Sequence, residues 1–158
     1  MSKWLTPVTD RTINDVLNAR DTLSRWIASH TTDVAELKGC LNVTDLNRIE
    51  GNIDYLNDLL ASLHYNTTFI DVKNWTNAGL PNVADFERIL SNITNLFNAI
   101  CKPTSAEELP DTMSTYDDIN RLEQNLQALK QVLDEMRSYF PISGTCVAGS
   151  RRLLPLRR

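Results

Sequence analysis

Three stretches of the sequence place a carboxylate, a guanidinium and a carboxamide at the same spacing. They read DLNRIEGNIDYL over residues 45–56, DFERILSNITNL over residues 85–96 and DINRLEQNLQAL over residues 118–129. The shared pattern is D-Φ-x-R-Φ-x-x-N-Φ-x-x-L, in which Φ is apolar. Its polar members are Asp45, Arg48, Asn52, Asp85, Arg88, Asn92, Asp118, Arg121 and Asn125. These groups can form ion pairs and hydrogen bonds, but none is an obvious reacting group.

Two interpretations of this repeat are open from the residues alone. Asp and Arg are three positions apart and Arg and Asn are four apart, so on a helix the three side chains lie along one ridge. In a structural interpretation the aspartate caps the helix start, the arginine pairs on the helix surface, and the asparagine or arginine hydrogen-bonds to a nearby loop. In a binding interpretation the ridge lines a repeated ligand groove. One domain rarely needs three copies of an active site, which favours the structural interpretation.

Three other groups of residues could react, but each lacks the partners that its chemistry needs. His30 and His64 are expected at helix ends, where the dipole favours a cation, and no metal ligand or proton-transfer partner stands at a suitable spacing. Cys146 lacks the flanking residues of the Gly-x-Ser-x-Gly and papain-type nucleophile motifs. Glu107 and Glu108 are adjacent in a predicted loop, which holds no fixed distance between them. We therefore expect no enzyme activity, no catalytic residue, no metal site and no cofactor.

The composition indicates one acidic domain with a basic final stretch. A chain of 158 residues suits a single domain, and a domain of this size buries roughly 70% of its extended-chain surface. The net charge is −4, yet four of the sixteen basic residues lie within residues 151–158, which leaves twelve basic against twenty acidic residues elsewhere. An acidic body makes nucleic acid an unfavourable partner. No apolar run approaches a membrane span, and three widely spaced cysteines are typical of reduced thiols.

The elements that position the repeat are amphipathic helices. Apolar residues recur at alternating steps of three and four through each copy, and a weaker fourth copy begins near Asp15. A capping residue stands three positions before each aligned aspartate, and these residues are Thr12, Asn42, Asn82 and Thr115. An N-cap oxygen and a carboxylate at the third helical position satisfy free backbone N–H groups and so define a helix start. The predicted helices cover residues 12–29, 43–64, 83–101 and 115–139.

The predicted fold class is all-α, an elongated four-helix bundle built from a repeated helical hairpin. Helices of these lengths would run about 27 to 38 Å, and side-by-side packing would bury their apolar stripes. The first and third helices are almost as far apart in sequence as the second and fourth, and a tryptophan precedes both the first and the third. The bundle is expected over residues 12–140, with extended segments over 1–11 and 141–158, the latter ending in an Arg-rich tail.

Short motifs spread over most of the chain follow a further ordered pattern. They are Leu37-Lys38-Gly39, Asn42–Asn52 with Tyr55-Leu56, Trp75-Thr76, Leu80-Pro81, Asp85–Ile89, Leu109-Pro110 with Met113 and Tyr116, Tyr139, and Ser143–Thr145. This pattern, which covers residues 4 to about 149, resembles a helical module of tail-region structural proteins of phages and prophages from Gram-positive, often gut, bacteria. The shared motifs are helix caps and apolar stripe residues.

The resemblance implies a virion structural or assembly protein of the phage tail, baseplate or fibre-attachment region that acts through protein–protein contacts. Its expected partners are other virion proteins, and it is expected as a homo-oligomer or in many copies, without a membrane or nucleic acid. The implied location is the virion, and the host cytoplasm during assembly. The alternative is a prophage-encoded intracellular adaptor or regulatory binding protein that uses one groove of the bundle.

The last residues of the sequence depart from the resemblance, which stops near Gly149. Arginine pairs flank a Leu- and Pro-containing centre, a composition that suits an acidic partner protein, DNA or a membrane surface. The possible partner-docking residues are Arg151, Arg152, Leu153, Leu154, Leu156, Arg157 and Arg158. A disordered end and a peptide that orders against another subunit both remain open as interpretations.

Overall fold

A computed structural model of the chain describes residues 3–29, 36–68, 71–77 and 79–139. Within these ranges it contains four α-helices and no β-strand. The helices are α1 (Ile13–Ser29), α2 (Val43–Ser62), α3 (Val83–Ile100) and α4 (Tyr116–Tyr139). The helices pack against one another, so the all-α prediction is confirmed. Each predicted helix start agrees with the structure to within one residue.

The predicted caps define all four helix starts. Each aspartate at the third helical position accepts a hydrogen bond from the backbone N–H of its N-cap residue, at 2.8 to 3.0 Å. The cap residues are Thr12, Asn42, Asn82 and Thr115. At Thr12, Asn82 and Thr115 the cap side chain also accepts from the backbone N–H of the aspartate. These reciprocal bonds satisfy N–H groups that the helix itself cannot satisfy.

Helix α2 ends with a residue in the left-handed region. The backbone N–H of His64 bonds to the carbonyl of Ala61, and the N–H of Tyr65 bonds to the carbonyl of Leu60, both at 3.0 Å. This is the Schellman arrangement, and it places His64 at φ 65° where glycine is usual. The position of His64 at a helix end is confirmed, and its backbone terminates the helix.

The hydrophobic core is built by three of the four helices. Its fully buried side chains come from α2, α3 and α4, and the connections add Trp75 and Met113. In α1 the buried residue is Ala19, whereas Leu17 and Trp26 are each about 40% exposed. The apolar stripe that the sequence predicts for α1 therefore does not enter the core cluster, and α1 packs outside it.

Helices α2 and α4 run in the same direction. Arg48 of α2 pairs with Glu123 of α4, 75 positions later. One to two turns further along, the ammonium of Lys130 in α4 lies 5.8 Å from the ring centre of Tyr55 in α2, again 75 positions apart. In an antiparallel pair, the number of sequence positions between contacting residues falls along the helices. Here it is the same at both contacts, so α2 and α4 are parallel.

Helix α3 also runs parallel to α2. Arg88 of α3 pairs with Glu50 of α2, 38 positions earlier. Asn57 of α2 and Asn95 of α3, also 38 apart, both hydrogen-bond to residues 67–68. Because α3 and α4 both run parallel to α2, they cannot form an antiparallel hairpin, and the predicted hairpin of these two helices is wrong.

Long connections make the parallel arrangement possible, since each must return the chain to the end at which the next helix begins. The N-terminal segment (residues 3–11) runs against the direction of the helices, because Leu5, Val8 and Arg11 bond to side chains progressively nearer the helix starts. Their partners are Asn52, Glu123 and Asn120. The second segment (residues 71–77) lies along α2 and α3, and the third segment (residues 101–115) lies along α4.

Gly39, just before α2, lies directly against the backbone of α1. A Cβ atom at this position would be 2.1 Å from the carbonyl oxygen of Asp15 and 2.5 Å from the backbone nitrogen of Val16. Any larger residue must push the two backbones apart. By contrast, a Cβ at Gly51 in α2 would meet nothing within 4 Å.

We predict opposite effects for alanine at these two glycines. Gly39→Ala should lower the free energy of unfolding by about 1–3 kcal/mol because of the forced backbone shift. Gly51→Ala should raise it by about 0.5–1 kcal/mol because alanine is the better helix former. Urea titration followed by circular dichroism measures both. Equal losses for the two variants would contradict the close packing of Gly39 on α1.

Candidate functional site

Asp45 and Arg48 of the first repeat copy form a largely buried ion-pair cluster with Arg11 of the N-terminal segment and Glu123 of α4. Arg48 binds the Glu123 carboxylate with two nitrogens, at 2.8 and 2.9 Å. Arg11 bridges the two acids, at 2.8 Å to Asp45 and 3.0 Å to Glu123. The Glu123 side chain is 0% exposed and also accepts the backbone N–H of Val8 at 2.8 Å. Two cations and two anions thus neutralise one another out of water, as buried charges require.

A second buried pair joins α3 to α2. Glu50 is buried and accepts from the guanidinium of Arg88, with one contact at 2.8 Å. The indole N–H of Trp75 donates to the same carboxylate at 3.1 Å. Arg88 also reaches the carbonyl of Asp71 at 3.2 Å. The pair therefore fastens the second segment to both helices.

The third copy pairs on the surface instead. Arg48 and Arg88 each pair with a glutamate that stands two positions after the arginine of another copy, namely Glu123 and Glu50. In α3 that position is Leu90, which offers Arg121 no buried carboxylate. Arg121 instead lies 2.9 Å from Asp117 and 3.4 Å from Glu107, at partly exposed sites. The predicted surface pairing is thus found for Arg121, whereas Arg48 and Arg88 are partly buried and pair with buried glutamates of other helices.

Asparagine side chains of the helices hydrogen-bond to the backbone of the segments. Asn52 accepts from the N–H of Leu5 and donates to its C=O, both at 2.8 Å. Asn120 makes the same pair of bonds to Arg11, and Asn47 makes it to Trp75. A carboxamide carries one donor and one acceptor side by side, so it can pair with one residue as a neighbouring strand would.

The other two asparagines of the repeat, Asn92 and Asn125, are also buried. The side-chain oxygen of Asn125 accepts from the backbone N–H of Glu107 at 2.8 Å. Asn92 of α3 is 0% exposed. The predicted hydrogen bond from asparagine to a neighbouring loop is therefore found at Asn52 and at Asn125.

Several residues of these clusters were not predicted from the sequence. They are Arg11, Asn47, Glu50, Asn120 and Glu123. Two signals were available, because the pattern carries Glu two positions after Arg in two of its copies, and Asn two positions after Asp in two copies.

The capping aspartates have acidities set by these contacts. The hydrogen bond from Lys73, with the Asn82 N–H, holds the pKa of Asp85 below its usual 3.8. Burial acts to raise the pKa of Asp45, but the Asn42 N–H and the two arginines outweigh it and the pKa is lowered. Hydrogen bonds from Thr12 lower the pKa of Asp15 against a smaller effect of burial. Burial acts to raise the pKa of Asp118, but hydrogen bonds from Thr115 and Ser114 outweigh it and the pKa is lowered.

Three adjoining hollows lie at the helix-start end, the end at which α2, α3 and α4 begin. The first, of about 370 Å³, is lined by Ile13, Cys40, Leu41, Met113, Tyr116 and Ile119, among others. The second, of about 550 Å³, shares Cys40 and Leu41 with it. The third, of about 260 Å³, shares Met113 and Ser114 with the first. Together they form one continuous surface, which is mainly apolar in the first and third hollows and about half polar in the second.

The other residues with possible chemistry are not brought together. Cys40 is half-buried and Cys101 exposed, and both are free thiols. Among the residues that the structure describes, no three His, Cys, Asp or Glu side chains are grouped to hold a metal ion. His30 and Cys146 lie outside those residues, as do all the possible docking residues from Arg151 to Arg158.

Comparison with protein-family models, curated proteins and solved structures finds no match for this chain. Of the helices in the described ranges, none combines the length and the apolar character needed to cross a membrane.

We predict that loss of the Glu123 carboxylate is costly. Glu123→Gln should lower the free energy of unfolding by about 3–5 kcal/mol because it leaves buried guanidinium charge without its partner. Asp134→Asn, which removes an exposed partner of Lys130, should cost at most about 1 kcal/mol. Urea unfolding at neutral pH measures both. Small and equal losses would show that Glu123 does not hold the helices together.

We also predict that acid destabilises the protein through its helix caps. A carboxyl group whose pKa is lowered on folding stabilises the native state above its unfolded pKa, and this contribution is lost as pH falls through the folded value. The free energy of unfolding should therefore fall from about pH 4 downwards. Asp85→Asn should flatten this dependence, because it removes one of the capping carboxyl groups whose pKa is lowered. Urea titrations at several pH values test this, and identical profiles for the variant and the unmodified protein would contradict it.

Proposed function

We propose that the protein is a virion structural or assembly protein of the phage tail, baseplate or fibre-attachment region. It acts through protein–protein contacts, is present in many copies, and is located in the virion and, during assembly, in the host cytoplasm. The motif resemblance to tail-region modules points to this class of protein. Other virion proteins are its partners in this proposal.

The observation that carries the proposal is the exposure of large apolar side chains at the helix-start end. Leu80 is 92% exposed and Val83 is 72% exposed, and both border the adjoining hollows. Ile13, at 53%, lies on the same surface. Contiguous exposed apolar surface of this kind is typical of protein–protein contact sites.

The use of the repeat residues supports the same function. The arginines of the first and second copies bind glutamates of the third and first copies between helices, and asparagines bind the segments. These contacts stabilise the fold, which suits a rigid structural protein. We propose that α2, α3 and α4 are repeats of one unit, a segment followed by a helix, and that they form an elongated bundle with α1 added outside.

One observation favours the alternative, a prophage-encoded intracellular adaptor or regulatory binding protein. The first hollow has the volume of a small-molecule pocket, and apolar side chains surround the buried Arg11 within it. An adaptor could use this hollow as its binding groove. It would act without entering a particle.

Particle composition and oligomeric state distinguish the two functions. We expect peptides of this protein in phage particles purified after prophage induction, in a fixed ratio to other tail proteins. We also expect the purified protein to form oligomers in sedimentation velocity runs. A strict monomer at high concentration that is absent from particles would contradict the assembly function and support the adaptor.

A further inference from the structure

The apolar end of the molecule has the features of a receptor for a short peptide. We define the apolar end as the surface of the three hollows with the exposed side chains of Ile13, Leu41, Leu80 and Val83. The shared lining residues make the hollows continuous, and the four side chains stand around them. A segment with several apolar residues could place one side chain in each hollow.

The rim of the apolar end is acidic. Glu36 borders the second hollow, and Glu87 and Asp111 border the third, all exposed. The nearby Lys38 already pairs with Asp10 at 2.9 Å, and Arg11 at the base of the first hollow is committed to the buried cluster. The free charge around the surface is thus negative, which favours a peptide with cationic ends.

The chain itself contains a peptide with this chemistry. Residues 151–158 place arginine pairs on both sides of Leu153, Leu154 and Leu156. The segment carries four positive charges and no negative one, while the rest of the chain has twelve basic against twenty acidic residues. Its apolar centre and cationic ends match the apolar hollows and their acidic rim.

The position of α4 favours a second copy as the source of this peptide. Helix α4 begins beside the first hollow, because Thr115 and Tyr116 line it, and its 24 residues carry the chain about 36 Å away. To return on the same copy, residues 140–150 would have to cover this distance almost fully extended, since eleven residues reach at most about 36–40 Å. A second copy placed end to end presents its apolar end directly.

We propose that residues 151–158 of one copy bind the apolar end of the next copy, with the leucines in the hollows and the arginines on the acidic rim. The contact joins two different surfaces, so it repeats head to tail and builds a ring or a filament. This inference rests on the proposed assembly function and names the contact that would build the assembly.

Sedimentation velocity of the full-length protein over a range of concentrations tests the donor side. The unmodified protein should associate as concentration rises. Replacing Arg151, Arg152, Arg157 and Arg158 with serine should weaken association by roughly tenfold or more, because the charge attraction to the rim is lost. Unchanged association of this variant would overturn the proposal. So would an unmodified protein that stays monomeric, which is the result expected if the segment binds its own copy.

A matched pair of variants tests the acceptor side. Leu80→Asp places a charge on the apolar end and should weaken association as strongly as the loss of the arginines. Ile27→Asp changes a side chain of α1 that is 66% exposed and lines none of the three hollows, and it should leave association unchanged. Equal effects of the two variants would place the contact elsewhere.

Charge reversal tests the pairing itself. Glu87→Arg with Asp111→Arg should weaken association, and adding Arg→Glu changes at all four arginines of residues 151–158 should restore it. Restoration cannot arise from misfolding, and its failure would overturn the pairing. Particle composition separates this inference from the proposed function. If the serine variant enters particles normally, the head-to-tail contact is wrong while the assembly function stands.

Discussion

The bidentate ion pair between Arg48 and Glu123 is the interaction on which the arrangement of the chain depends. Glu123 is fully buried and the Arg48 side chain is only 14% exposed, so separating them would leave the buried carboxylate without this partner. The pair sets the register of α2 against α4 and makes the two helices parallel. Because Glu123 also accepts from Val8 and Arg11, the same carboxylate holds the N-terminal segment along both helices.

Parallel helices require connections that return along the bundle, and the asparagines make those returns stable. A non-helical segment against a helix has backbone N–H and C=O groups without strand partners. Asn47, Asn52 and Asn120 supply both kinds of partner from one side chain. The high asparagine content of the repeat is therefore explained by the segments that the helices must hold.

Helix α1 and the connection before α2 stand outside this scheme and shape the surface of the molecule. Gly39 lets the connection lie against the backbone of α1, and Ile13 and Leu41 frame the first hollow where they meet. With Leu80 and Val83 they leave an apolar surface at the helix-start end. The internal contacts thus use the charged residues of the repeat, and several large apolar side chains outside the core remain exposed.

The sequence by itself determined the four helices, their starts to within one residue, and the capping role of Asp45, Asp85 and Asp118. These features depend on apolar spacing and on hydrogen bonds within one turn, which neighbouring residues decide. It did not determine the direction of the helices, the place of α1 outside the core, or the carboxylate that each repeat arginine meets. Those were decided by the tertiary structure, because Arg48 and Glu123 are 75 positions apart. Only packing of the whole chain brings a buried guanidinium and its carboxylate together.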